Sequence, residues 1–172
     1  MSDKIIPKNK YNAIPEDLPG KGIQQMTQVI QVGIVVRDLD KTMAEMKRIF
    51  GVEPDAINNC STPLNGTYKG EPADFTLRIC FYSFANIEFE FMQPIGGKSI
   101  WQDHLDKNQA GLHHVRFNVQ DYKGIVEEME EKGIGIYQDG LVRLDPRYRW
   151  TYLDTEPSLG FVIELLSLAD SE

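Results

Sequence analysis

Four side chains stand out because their types and positions repeat. Gln31 opens the run Gln31-Val-Gly-Ile-Val-Val-Arg-Asp38, and His114 opens His114-Val-Arg-Phe-Asn-Val-Gln-Asp121, each seven positions ahead of an aspartate. Glu90 lies in Asn86-Ile-Glu-Phe-Glu-Phe-Met92, and Glu164 holds the matching place in Gly160-Phe-Val-Ile-Glu-Leu-Leu166. Self-similarity of this kind marks a duplicated unit. On a strand each of the four leaves the sheet on the face opposite its neighbours, so two curved, pseudo-symmetric sheets can turn all four onto one concave surface. A lone histidine on a strand is ordinarily a packed or exposed residue, and a lone glutamate can sit at a sheet edge; the repeat is what argues for a site.

Two carboxylates, one imidazole and one amide oxygen suit a six-coordinate divalent cation with two positions open to water or substrate oxygens. Such a centre favours carbon-acid chemistry. The cation polarises a carbonyl, and a nearby carboxylate, Glu164 or Glu90, takes the proton from the adjacent carbon. Return of the proton to the other face gives epimerisation or racemisation; return to the neighbouring carbon gives a glyoxalase-type isomerisation. Glu88 shares a strand face with Glu90 and is a further candidate base.

The elements that must position these groups follow from periodicity. Val29 to Val36 reads as a strand, Asp38 or Asp40 as a helix cap, and Leu39, Met43, Met46 and Phe50 as one helical face stopped by Gly51. A weaker strand is expected near Glu53 to Asn58, then a hairpin from Phe75–Tyr82 to Ile87–Met92 turning at Ala85 and Asn86. The order repeats: a strand His113–Val119, a helix capped by Asp121 and ended by Gly133, and strands at Ile134–Tyr137, Arg147–Leu153 and Phe161–Leu166. By alternation His113 should point away from His114, as a structural or supporting residue. The expectation is an α+β fold of two pseudo-symmetric βαβββ modules forming a curved, half-barrel mixed sheet around a metal site. An N-terminal extension spans 1–26, module one 27–95, a linker helix 96–110, module two 111–168 and a tail 169–172.

Composition narrows the partners. Eighteen basic against twenty-six acidic residues give a net charge of −8, with no basic cluster to engage phosphate backbones, so nucleic acid is not expected. No apolar run approaches the roughly 20 residues of a membrane span, and the N-terminus lacks the apolar stretch of a secretory signal. Two cysteines, Cys60 and Cys80, make no disulfide framework, and a cytoplasmic protein with free, structural thiols is expected. Gly96-Gly97-Lys98-Ser99 lacks the upstream glycine of a phosphate-binding loop.

The segments Gln31–Asp40, Ile87–Pro94, Gly111–Phe117 and Gly160–Leu165, in that order, resemble the vicinal oxygen chelate superfamily of glyoxalases, bleomycin-resistance proteins, epimerases and extradiol dioxygenases. Gly111-Leu-His-His and the placing of Glu90 before Pro94 look most like methylmalonyl-CoA epimerase and glyoxalase-like members. The resemblance implies metal ligands at Gln31, Glu90, His114 and Glu164, one divalent ion (Co, Mn, Ni, Zn or Mg), a small-molecule carbonyl substrate and a homodimer. Two departures stand out. Epimerases of the family usually carry histidine where this chain has Gln31, which is similar to the ligand set of some glyoxalase I enzymes. The stretch Thr76-Leu-Arg-Ile-Cys-Phe81 also lacks the carboxylate that serves the epimerases as a second base.

Arg147-Tyr-Arg-Trp-Thr-Tyr152 alternates, so Tyr148, Trp150 and Tyr152 share one strand face. They are read either as an aromatic substrate wall, with Arg78, Arg143 or Arg149 meeting an anionic group, or as aromatics packed under a helix. The expected function is a metal-dependent epimerase or racemase acting next to the carbonyl of an acyl-CoA thioester or an aromatic ketone. The alternatives are a glyoxalase-like lyase and a metal-free ligand-sequestering protein.

Overall fold

The computed structural model describes residues 10–108 and 110–169. Module one runs β1 (Gln31–Val35), α1 (Leu39–Phe50), β2 (Ala56–Ser61), an inserted hairpin of β3 (Leu64–Tyr68) and β4 (Glu71–Pro72), β5 (Thr76–Ser83) and β6 (Glu88–Gly96). Helix α2 (Ile100–Asn108) leads to β7 (Gly111–Asn118), α3 (Tyr122–Glu131), β8 (Ile136–Leu141), β9 (Tyr148–Leu153), the short α4 (Glu156–Leu159) and β10 (Val162–Leu168). These strands form one mixed sheet in the order β2-β5-β6-β1-β7-β10-β9-β8-β3-β4.

Outward from the antiparallel β1–β7 seam the two halves mirror each other: β1, β6, β5, β2 on one side and β7, β10, β9, β8 on the other. The βαβββ duplication is therefore present as a curled, half-barrel α+β sheet. Helices α1 and α3 start as their sequences predict. Asp38 accepts a hydrogen bond from the Lys41 amide at 3.0 Å and Asp121 one from the Gly124 amide at 3.2 Å, satisfying donors that a helix N-terminus leaves over. Gly51, at φ 70°, ends α1 in the left-handed conformation that glycine adopts without a Cβ penalty.

Helices α1 and α3 each cover one outer face of the sheet. Leu39 and Met46 of α1 pack on Cys80, Tyr82 and Phe91, while Ile125 and Met129 of α3 pack on Leu153, Ile163 and Leu165. The Cys60 side chain lies outside those described; Cys80 is a buried free thiol. Helix α2 instead lies on the inner face, where Ile100, Trp101 and Leu105 join Val35, Leu77, Ile79, Met92, Tyr152 and Val162. Among the described residues, no helix is long and apolar enough to cross a membrane.

The β3–β4 hairpin has no counterpart in the expected pattern. Leu64 to Pro72 holds Asn65 and Lys69 at positive φ and shows no apolar alternation. Its extended shape comes from pairing with β8, Thr67 opposite Asp139 and Tyr68 opposite Gln138. A segment of module one thus joins the outer edge of module two. Arg143 fastens the crossing by donating to the Thr62 and Pro63 carbonyls at 2.7 and 3.1 Å. This pairing also carries β8 on to Leu141, past the expected end at Tyr137.

The N-terminal segment is draped on the domain and forms two 3-10 turns, Lys10–Asn12 and Gly22–Gln25. Arg116 and Asn118 both donate to the Tyr11 carbonyl, at 2.9 and 2.7 Å. Gln25 accepts from the Gln120 and Asp121 amides, each at 2.9 Å.

Candidate metal centre

The seam positions the four groups. Glu90 pairs in register with Gly33 on β1, Gly33 with His114 on β7, and Val162 with His114, leaving Glu164 two residues further along β10. Gly33 makes the convergence possible: a Cβ there would lie 1.9 to 2.3 Å from three atoms of the His114 ring. It is the one residue without a side chain in a run of β-branched neighbours, and that interruption was the available sequence signal for a close approach.

His114 Nε2 stands 2.9 Å from Glu164 Oε2, 3.4 Å from Glu90 Oε2 and 3.4 Å from Gln31 Oε1. All four residues are buried. One ligand atom each from Glu90, His114 and Glu164 fall within 4.8 Å of one another. Gln31 completes the quartet with its amide oxygen, while its Nε2 donates to Glu88 Oε1 at 2.7 Å. Arg116 Nη2 lies 3.7 Å from the same Glu88 oxygen.

The donor set fits a divalent cation. Two carboxylates face one imidazole, so even a protonated His114 leaves net negative charge in a buried space, and buried charge is costly unless balanced. Glu164 Oε2 is buried and, despite its nearness to the ring, has no aligned hydrogen-bond donor. Without a cation the imidazole serves in its place. Burial alone depresses the His114 pKa, but the Glu164 and Glu90 carboxylates outweigh it and raise the value to about 9.

His113 departs from the expected alternation. A bulge in the β1–β7 register falls at this residue, between the pairs Gly33–His114 and Ile34–Leu112, and turns its ring beside that of His114. The two Nδ1 atoms are 3.1 Å apart. Burial, then the neighbouring His114 and His104, hold His113 well below the ordinary histidine pKa. A neutral His113 can accept from His114 Nδ1–H and so leave the His114 Nε2 lone pair for a metal.

The other expected contacts separate. Arg78 shares its strand face with Cys80 and Tyr82 beneath α1 and pairs with Asp40 at 2.8 Å, so it does not reach the centre. Arg149 is bound to Asp139 at 2.7 Å and Arg143 to loop carbonyls. Tyr152 does lie at the centre, its ring 5.0 Å from that of His114 and 5.5 Å from Trp101 of α2. Trp150 packs with Phe75 and Trp101, so packing under a helix describes it better than an open wall. Tyr148 pairs with Leu168, four residues along from the Glu164 pair, or about 13 Å at the rise of a strand.

Two βαβββ modules in one chain, with an oxygen-rich, single-imidazole cluster across their seam, define a class of fold and centre. The chain belongs to the Glyoxalase/Bleomycin resistance protein/Dioxygenase superfamily, whose profile matches residues 30–150. It is 28% identical over 126 residues to the mitochondrial methylmalonyl-CoA epimerase of Bos taurus, covering 70% of this chain and 63% of that protein. It is 27% identical over 110 residues to the ethylmalonyl-CoA/methylmalonyl-CoA epimerase of Cereibacter sphaeroides, covering 63% of this chain and 73% of that one. The chain thus spans less than two thirds of the bovine relative. Among solved structures, methylmalonyl-CoA epimerase from Mycobacterium tuberculosis matches the fold with a TM-score of 0.56 at 16% identity, covering 94% of this chain and 96% of the other.

Proposed function

We propose that this chain is a metal-dependent epimerase of an acyl-CoA thioester substituted at the carbon next to the carbonyl. The observation that carries the reading is the convergence of Gln31, Glu90, His114 and Glu164 on the seam, and the epimerase relatives support it. When bound by these four residues, a divalent cation supplies Lewis acidity to the substrate carbonyl. Glu164, whose Oε2 has no aligned donor, takes the proton from the adjacent carbon. Glu90, on the equivalent strand of the other module, stands across the seam and, carrying a proton taken up from solvent, delivers it from the opposite side, while Glu164 releases the abstracted proton to solvent. Tyr152 and His113 close the inner side against water. All four donors come from one chain, so the centre does not need a second copy; the homodimer implied by the resemblance is a separate matter for sedimentation.

The test is exchange of the substituted carbon's proton in methylmalonyl-CoA with solvent deuterium, using Co(II)-loaded protein. Exchange is expected in the wild type and abolished in Glu164→Gln; unchanged exchange in that variant would remove Glu164 as the base. A second reading, isomerisation of a hemithioacetal, is favoured by the Gln31 amide donor and by the absence of a carboxylate on β5. Turnover of methylglyoxal with a thiol, without thioester exchange, would select it. Neither metal uptake nor exchange would point to a ligand-sequestering protein.

A further inference from the structure

Glu88 is fully buried on the inner face of β6, one turn of the strand pleat before Glu90. It is opposite Gln31 in the β1–β6 register and accepts from Gln31 Nε2 at 2.7 Å. A primary amide has two ends, and only the oxygen can bind a cation. An amide free to rotate would present its NH2 group to the cluster as readily as its oxygen. The Glu88 carboxylate accepts but cannot donate, so it selects the orientation in which Gln31 Oε1 faces His114 Nε2 at 3.4 Å. Arg116, opposite Gln31 across the seam, stands 3.7 Å from Glu88 and balances its charge in the interior.

We infer that Glu88 is a positioning residue that holds the Gln31 carbonyl oxygen toward the metal centre, with Arg116 neutralising it. This rests on the metal reading above and assigns Glu88 a place outside proton transfer. It also gives the fourth ligand, an uncharged amide oxygen, a fixed direction before the cation arrives. The geometry costs the sequence a buried ion pair, which by itself is weak support for stability but is a means of fixing one arrangement.

Removing Glu88 alone would strand the Arg116 charge in the interior, so the informative variant is Glu88→Leu with Arg116→Met. Co(II) affinity of the full chain is measured by titration against a metallochromic dye, in this variant and in Glu88→Gln, each with and without Gln31→Ala. Loss of a supporting group of this kind lowers metal affinity about 10- to 100-fold. That loss is expected in the Leu/Met variant while Gln31 is present, and should shrink to roughly twofold or less once Gln31 is alanine, because the two act through one ligand. Glu88→Gln, whose amide can turn and donate to Gln31 as well as accept from it, no longer selects one orientation and should lose affinity by an amount between wild type and the Leu/Met variant while Gln31 is present. A change in the Co(II) absorption spectrum that appears in the Leu/Met variant and is already present in Gln31→Ala would agree. Unchanged affinity in the Leu/Met variant, or an equal loss with and without Gln31, overturns the positioning role alone. A wild type that takes up no Co(II) overturns it together with the metal reading.

Discussion

Gly33 sits where a single methyl group would do most to the centre. Alanine at this position would drive its Cβ into the His114 ring, so Gly33→Ala should lower Co(II) affinity about tenfold or more, as a displaced ligand does, together with the thermal midpoint. A variant with wild-type affinity would show that the ring has room to move. His114 carries a pH signature in the metal-free chain. Its pKa rises from the ordinary 6.5 to about 9 on folding, so its contribution to stability is full below about pH 6.5 and is lost as pH rises through 9. The thermal midpoint of the metal-free wild type should therefore fall between pH 7 and 9.5 more steeply than that of His114→Gln. Parallel curves for the two would contradict the charge assignment. Cys80 behaves oppositely to a reactive thiol: burial, with help from the Glu90 charge, pushes its pKa to about 12. Iodoacetamide at pH 8 should leave it unmodified in the native protein and modify it after denaturation, as read by peptide mass mapping.

At the scale of elements, caps and pairing partners explain both what was readable and what was not. Asp38, Gly51 and Asp121 act locally, through backbone groups a few residues away, and so announced α1 and α3 in the sequence. Asp38→Ala should cost about 1 kcal/mol in a denaturant melt, the usual value of a lost N-cap. The four ligand candidates were readable for a related reason: strand alternation and the internal repeat place them without knowledge of contacts. The hairpin β3–β4 was not, since its extended shape comes from β8, more than sixty residues away in sequence. The bulge at His113 likewise belongs to a pairing between strands, and alternation within β7 gave the opposite answer. Arg78 was readable in principle, for it shares parity with Cys80 and Tyr82, and only its charge suggested the pocket. The hairpin is tied to α2 through Asp103, which accepts from Tyr68 at 2.7 Å and Tyr137 at 3.0 Å and pairs with Lys69 at 3.2 Å. Asp103→Ala should speed amide hydrogen exchange in β3 and α2 while leaving the β1–β7 seam protected.

Over the whole molecule, the N-terminal segment acts as a fastening rather than a tail. The Tyr11 carbonyl satisfies Arg116 and Asn118, and the Tyr11 hydroxyl donates to the Phe84 carbonyl at the β5–β6 turn. Removing residues 1–15 should lower the thermal midpoint by about 5 °C, as expected for a loss of one to two kcal/mol in a domain of this size, and leave Co(II) uptake in place. An unchanged midpoint would mean that water replaces those contacts at no cost.

The seam has a further consequence for stereochemistry. Two separate identical modules would carry the same residue at every equivalent position, whereas joining them in one chain lets the copies diverge selectively. Here the equivalent Glu90 and Glu164 are alike, while the equivalent Gln31 and His114 differ. On the proposed function, a carbon held near the pseudo-axis would meet the same kind of base from either hand, and the two mirror-related forms of its substituents would face similar barriers. On the same reading the unlike pair would break the remaining degeneracy and give the substrate one way round in which to bind. Handedness would then be indifferent for the proton and decided for the rest of the molecule.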